Sequence, residues 1–331
     1  MKLLIVSDAW RPQVNGVVRT LERVAGELMA MGDAVDVIGP DQFRNFAMPG
    51  YGDIRLAFRP RAALRRLLDE ARPDALHIAT EGPLGLATRA ICAERGWRFT
   101  TSFHTRFAEY IAARTGIPPQ LIWALLRRFH NAGAGTFAAT PTLLEELERR
   151  GFRHVLPWTR GVDLGLFHDG PRDAWDGLPG PIFLYAGRVA VEKNISAFLE
   201  LDLPGTKVVV GDGPQRAALQ ARYPNVHFAG WRHGEDLAHA YRGGDVMVFP
   251  SRTDTFGLVL LEAMASGTPV AAFPVMGPRD VVGSGGVLDE DLRRACLAAL
   301  EVPRATARNQ AERFSWQACA AAFKEQLVTI V

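Results

Sequence analysis

Two carboxylates with seven residues between them, Asp254 and Glu262, stand in the stretch "SRTDTFGLVLLEAMASGTPVAA", residues 251–272. The preceding "DVMVFPS" reads as a strand, and "FGLVLLEAMAS" as a helix ended by Gly267. Asp254 then lies in the loop where the helix starts. The amides that follow, from Thr255 through Phe256 and Gly257 to Leu258, and the helix dipole favour an anion there. Gly257 lets a ligand approach the backbone closely. Glu262 sits on a helix whose neighbours are apolar on every face, and a buried carboxylate must be paired, neutral or bonded to a ligand. Vicinal hydroxyls of a ribose would satisfy both of its oxygens. A plain helix cap at Asp254 and an arginine partner for Glu262 would account for the same residues.

A second set of residues carries positive charge. "YAGRVAVEKNI" runs from a strand into a loop with Arg188 and Lys193, a pair suited to a diphosphate. Lysine is scarce: Lys2, Lys193, Lys207 and Lys324 stand beside 34 arginines. "VVVGDGPQRAAL" places Gly211 and Gly213 at another strand-to-helix turn. Near the start, "SDAWRPQVNGVVRTL" joins a strand to a helix through Asn15 and Gly16. It is not G-x-G-x-x-G, which disfavours a nicotinamide or flavin dinucleotide. His104, in "TTSFHTRFAEY", ends a strand, where a structural and a catalytic histidine are both at home. There is no Ser-His-Asp spacing, no H-x-x-x-H and no Walker loop.

The elements that must position these residues alternate. "KLLIVS", "AVDVIGP", "ALHIA" and "RFTTSFH" read as strands, with "GVVRTLERVAGELMAMG" and "LGLATRAICAERG" as helices between them. After residue 181 the series resumes with "PIFLYAG", "KVVVGDG", "VHFAG", "DVMVFPS" and "PVAAFPV". The order predicts an α/β protein of two doubly wound, Rossmann-like domains with a cleft between them. Ligands of such sheets bind outside the carboxyl ends of the strands. The expected division is an N-terminal domain over 1–163, a Gly/Pro/Asp-rich linker over 164–181, a C-terminal domain over 182–305 and a helical segment over 306–331 that packs back on the first domain. The 331 residues and 48% hydrophobic content suit a soluble globular chain. Three scattered cysteines and an N-terminus without an apolar h-region point to the cytoplasm.

The stretch 251–272 closely resembles the signature of retaining glycosyltransferases of family 4, which have the GT-B fold. "NGVVRTL", "SFHT", "RGVDLGLF", "AGRVAVEKNI", "VGDGP", "FAGW" and a late "FSW" follow the family's order over nearly the whole chain. The resemblance implies transfer of a hexose from a nucleotide-diphosphate sugar, a UDP-sugar before GDP-mannose. It gives Glu262 the ribose hydroxyls, Asp254 and the amides from Phe256 to Leu258 the sugar and phosphate, and Arg188 and Lys193 the leaving diphosphate. Gly16 would face that phosphate from the other domain, Gly211 and Gly213 would line the donor site, and His104 would touch the sugar. The family's first acid is often Glu and is Asp254 here. No D-x-D follows any of the strands read above, so neither a metal nor another cofactor is expected. No nucleophile stands out, so front-face departure and attack, with the leaving phosphate as base, is the expected route.

The acceptor side is read from charge. Residues 1–163 hold 22 Lys+Arg against 17 Asp+Glu, while the whole chain carries a net charge of only +2. "RLAFRPRAALRRLLDEAR", with Arg61, Arg65 and Arg66, and "IPPQLIWALLRRFHNAG", with Trp123 among Ile122, Leu126 and Phe129, read as basic amphipathic helices. With Arg106 they are the expected acceptor and membrane residues, implying peripheral attachment and a lipid acceptor such as diacylglycerol. Leucines facing the core and arginines facing water would give the same pattern. A soluble or polysaccharide acceptor, a nucleotide-sugar epimerase and a non-enzymatic sugar-binding protein are the competing readings. Nothing points to nucleic acid, and no oligomeric state follows from the sequence.

Overall fold

The computed structural model describes residues 1–13, 15–48, 51–104 and 116–331; Arg106 lies outside them. The chain divides into two compact units, Met1–Arg160 with Trp316–Val331, and Gly161–Ser315.

In the first unit, β1 (Lys2–Val6) leads through Asn15 into α1 (Gly16–Ala30). Asn15 caps this helix by accepting from the amides of Val17 (3.0 Å) and Val18 (3.1 Å). Then come β2 (Ala34–Ile38), the hairpin β3 (Asn45–Met48) and β4 (Tyr51–Ala57), α2 (Arg61–Ala71), β5 (Ala75–Ile78), α3 (Pro83–Arg95) and β6 (Thr100–Phe103). The unit continues with α4 (Pro119–His130), β7 (Gly135–Ala138), α5 (Pro141–Arg149) and β8 (Val155–Pro157). Its six-stranded sheet has the order β2-β1-β5-β6-β7-β8, every pair parallel. The strands are apolar or threonine-rich on both faces because helices cover both. Leu4, Val6, Leu64, Leu68, Leu76, Ile78, Ile91 and Phe129 share one core.

The second unit repeats the plan: β9 (Ile182–Ala186), α6 (Ser196–Leu199), β10 (Thr206–Val210), α7 (Arg216–Arg222), β11 (His227–Gly230), α8 (Gly234–Gly243) and β12 (Val246–Phe249). It ends with α9 (Leu258–Ala265), β13 (Val270–Ala272), α10 (Pro278–Val281), β14 (Gly286–Leu288), α11 (Leu292–Ala299) and α12 (Arg304–Ala311). The order β11-β10-β9-β12-β13-β14 reverses direction between β9 and β12. In the first unit the reversal falls between β1 and β5. Such switch points leave a crevice at the carboxyl ends of the two strands involved.

Two segments differ from the sequence-based division. Residues 164–181 do not run as a free linker: Trp175 is buried and donates to the Ala240 carbonyl at 3.0 Å. The segment 306–331 splits, with α12 staying in the second unit and α13 (Trp316–Glu325) belonging to the first. There Phe323 meets the rings of Trp158 (4.8 Å), His77 (4.9 Å) and Phe137 (5.2 Å), and Lys324 pairs with Asp33 at 2.7 Å.

Candidate active site

The loops after β9 and β12, at the switch point of the second unit, are tied together. Lys193 closes a 3-10 turn after β9, and its Nζ donates to Asp254 Oδ1 at 2.5 Å. Next to it, Asn194 Nδ2 donates to the Pro250 carbonyl at 3.0 Å. Asn194 takes a left-handed φ of 53°, which asparagine tolerates better than most residues. Two residues singled out from distant parts of the sequence are therefore one ion pair. Arg188, half-buried, stands on the same β9 loop, and its carbonyl accepts from the Tyr185 hydroxyl at 2.8 Å.

The helix that Asp254 precedes begins at Gly257, whose φ of 87° needs glycine. In the first turn of α9 the Leu260 amide bonds the Gly257 carbonyl at 2.9 Å, and the amides of Leu258 and Val259 have no carbonyl a turn earlier to bond within the helix. The Phe256 side chain points the other way, buried and edge-on to Phe314 at 6.2 Å. One turn into α9, Glu262 is 7% exposed and accepts from the Tyr241 hydroxyl of α8 at 3.0 Å. Tyr241 is fully buried, and nothing in the sequence singles it out. Its phenol satisfies one lone pair of Oε2 without neutralising the carboxylate.

Gly211 and Gly213 have a structural explanation. A Cβ at Gly211 would lie 1.9 Å from the Gly187 carbonyl oxygen, and one at Gly213 2.4 Å from that of Val189. The two glycines let the loop after β10 lie against the loop carrying Arg188. Gly277, which sequence reasoning missed, does the same after β13, where a Cβ would meet the carbonyls of Phe256 and Asp254 at 3.0 and 3.1 Å.

In the first unit, Gly16 is exposed at the start of α1, beside the carboxyl end of β1. Asp8, also missed, is buried there and accepts from the amides of Leu84 (2.8 Å) and Gly85 (3.2 Å) and from Thr80 Oγ1 (3.0 Å). Burial raises its carboxyl above the usual range against the pull of those bonds. Asp8 thereby joins the two strand ends flanking the switch point of this unit.

His104 follows β6 and lies over a polar layer. Arg160 Nη2 donates to its Nδ1 at 3.4 Å, and Trp158 meets its ring edge-on at 5.8 Å. Burial first, and the Arg160 charge second, hold His104 well below the usual histidine range. Beneath it, His77 bonds Thr100 and Ser102, and His130 bonds Thr101 and Glu81.

Of the acceptor-side residues, Trp123 is placed differently from expectation. Arg61 and Arg65 both pair with Glu94 of α3, and Arg66 pairs with Glu70 at 3.6 Å; Leu64 and Leu68 between them are core. Trp123 is a core residue, stacked on Phe103 at 5.6 Å, and Ile122, Leu126 and Phe129 are buried with it. The side of α4 that faces out carries Leu121 (59% exposed) and Leu125 (68%) instead.

A family model described as Glycosyltransferase Family 4 matches residues 14–166, and one described as Glycosyl transferases group 1 matches residues 180–308. The chain is 32% identical over 330 residues to a "GDP-mannose-dependent alpha-mannosyltransferase" of Mycolicibacterium smegmatis, covering 90% of this chain and 87% of that one. It is 26% identical to the "Alpha-monoglucosyldiacylglycerol synthase" of Streptococcus pneumoniae over 82% of this chain and 71% of that one. Among solved structures, sucrose-phosphate synthase from Thermosynechococcus elongatus superposes with a TM-score of 0.75 at 22% identity, covering 98% of this chain and 97% of that one.

Proposed function

The chain belongs to the family 4 glycosyltransferases, hexosyltransferases with the GT-B fold that use a nucleotide-sugar donor, and from that premise we propose that it moves a hexose, with retention and without a metal, onto a membrane lipid. The observation that carries the reading is the Lys193–Asp254 pair at the mouth of α9, with Glu262 one turn further in. A ribose on Glu262 and a diphosphate near the α9 amides would bring the glycosidic bond to Asp254 and Lys193. As that bond breaks, negative charge grows on the leaving phosphate, where Arg188, Lys193 and the amides stabilise it. Asp254 pairs with Lys193 in this structure and can turn to a sugar hydroxyl once the phosphate takes over the ammonium. The name of the mycolicibacterial relative favours GDP-mannose as the first donor to test, ahead of the UDP-sugars.

The lipid acceptor is supported by the name of the streptococcal relative and by the outer side of α4. Ile117, Leu121 and Leu125 recur at four-residue intervals and are exposed, and α4 carries Arg127 and Arg128 without a carboxylate. Arg89 of α3 donates to the Arg128 carbonyl at 3.3 Å, which ties the two helices, and Leu86 of α3 is exposed as well. This apolar, basic face, rather than the arginines of α2, suits an anionic bilayer.

Nucleotide diphosphate release should be followed with GDP-mannose and UDP-hexoses, with and without diacylglycerol in anionic vesicles, in the presence of EDTA. Release that depends on the lipid supports the proposal. Transfer only to soluble acceptors defeats the lipid, and activity restored to a chelated enzyme by Mg²⁺ or Mn²⁺ defeats the metal-free mechanism. Leu121→Gln with Leu125→Gln should weaken sedimentation with the vesicles more than Arg61→Gln with Arg65→Gln.

A further inference from the structure

Arg160 is 4% exposed and ends the first unit just after β8. Its Nη1 donates to the carbonyls of Trp158 (2.6 Å) and Thr159 (2.9 Å), and its guanidinium lies 4.0 Å over the Trp158 ring. These contacts fix the plane of the guanidinium and aim Nη2 at His104 Nδ1. A guanidinium has five N–H donors and no acceptor. The imidazole nitrogen facing it must therefore offer a lone pair. We infer that Arg160 is a positioning residue that holds His104 as the neutral imidazole with its proton on Nε2.

The surroundings act in the same direction. Besides Arg160, the charged or titratable groups among the described residues that act on His104 are His77 from β5 and His130 from α4. Burial drives His77 down to about 3, so it adds no charge at neutral pH. Arg160 itself is lowered by burial only to about 10 and stays a cation there. An imidazolium would face that cation across a short gap in a medium of low dielectric.

The consequence for chemistry rests on the proposed glycosyl transfer. With Nδ1 occupied by Arg160 and Nε2 already protonated, His104 can donate a hydrogen bond to a sugar oxygen but has no lone pair free to take the acceptor's proton. That proton goes to the leaving phosphate oxygen, which gains it as the new glycosidic bond forms and the old one breaks. A neutral ring also puts no positive charge beside an oxocarbenium-like sugar. Arg160 thus selects between two roles open to a histidine at this place: donor, not base.

The protonation state can be read without any substrate. In ¹⁵N-labelled protein, long-range nitrogen–proton spectra should show His104 as the Nε2–H tautomer, unchanged from pH 8 to pH 5.5. Arg160→Lys should keep this state, because an ammonium is also a pure donor. Arg160→Met should move the His104 titration up toward the ordinary value and mix the tautomers. Its transfer rate should then gain an acid limb, falling about tenfold per pH unit below the new pKa. A wild-type His104 protonated on Nδ1, or titrating near 6.5, overturns the inference; so does an Arg160→Met protein with unchanged tautomer and titration. Should Arg160→Met not fold, the wild-type and Arg160→Lys spectra still decide. Loss of glycosyl transfer with the spectra as expected would count against the proposed function and leave the tautomer assignment standing.

Discussion

The two units share a sheet plan but hold their polar groups in opposite ways. In the second unit, Lys193 and Asp254 are partly exposed and meet as charges between two loops. In the first, His77, His130 and Arg160 are buried and His104 is half-buried, and their partners are mostly hydroxyls, carbonyls and rings. The first arrangement suits a ligand that brings charge, because a diphosphate can exchange for the carboxylate on Lys193. The second suits a group that must keep one protonation state while the ligand changes. One unit is built to be recharged and the other to hold the His104 imidazole in one state.

The sharpest break of this comparison is Glu262→Ala. It should abolish transfer, a loss of at least about a thousandfold. Loss of the Tyr241–Glu262 hydrogen bond should cost stability about 1–3 kcal/mol, well short of unfolding. Steady-state rates beside a thermal melt check both, and an unfolded variant would return Glu262 to a purely structural role. Arg188→Ala and Lys193→Ala should each lower kcat by about two to three orders of magnitude. Lys193→Ala leaves Asp254 without its cation and should be partly rescued by Asp254→Asn in the same chain. A double variant no better than the single one would show that the pair matters only through the lysine.

Acid should separate the units. His77 is neutral in the folded state down to about 3, whereas the unfolded chain protonates it near 6.5. Between those values the unfolded state binds more protons, so stability falls as pH is lowered from about 6.5. The loss approaches about 1.4 kcal/mol per pH unit for each such histidine. His104 adds to the slope in the same direction. Hydrogen exchange at pH 7 and pH 5 should show the first unit losing protection before the second; equal loss in both would remove the contrast. The smallest effect is expected for Tyr241→Phe, which keeps the packing and removes one hydrogen bond to Glu262. A change of about tenfold in donor KM, with kcat little altered, would mark it as a positioning residue.

The second-unit site was legible because its residues are spaced along one strand–loop–helix. Asp254 and Glu262 declare themselves by charge in an apolar run, and Lys193 by rarity. Tyr241 and Asp8 were not legible and Arg160 showed only as the first residue of "RGVDLGLF" with no role attached, since each acts on a residue 21 to 77 positions away. The helix faces failed for another reason. In α4 the stripe of Ile122, Trp123, Leu126 and Phe129 has the period of a buried face, and an amphipathic pattern does not say whether protein or lipid covers it. The informative residues were Leu121 and Leu125, apolar and off the stripe.

The return of α13 to the first unit has a bearing on synthesis. Residues 161–315 form a contiguous stretch that can fold as soon as it has emerged, whereas the first unit lacks Phe323 beside His77, Phe137 and Trp158 until the last of its segments is released. On the ribosome, the part made first is therefore finished last. Until then the apolar floor beneath its histidines stands open to water, or to a chaperone.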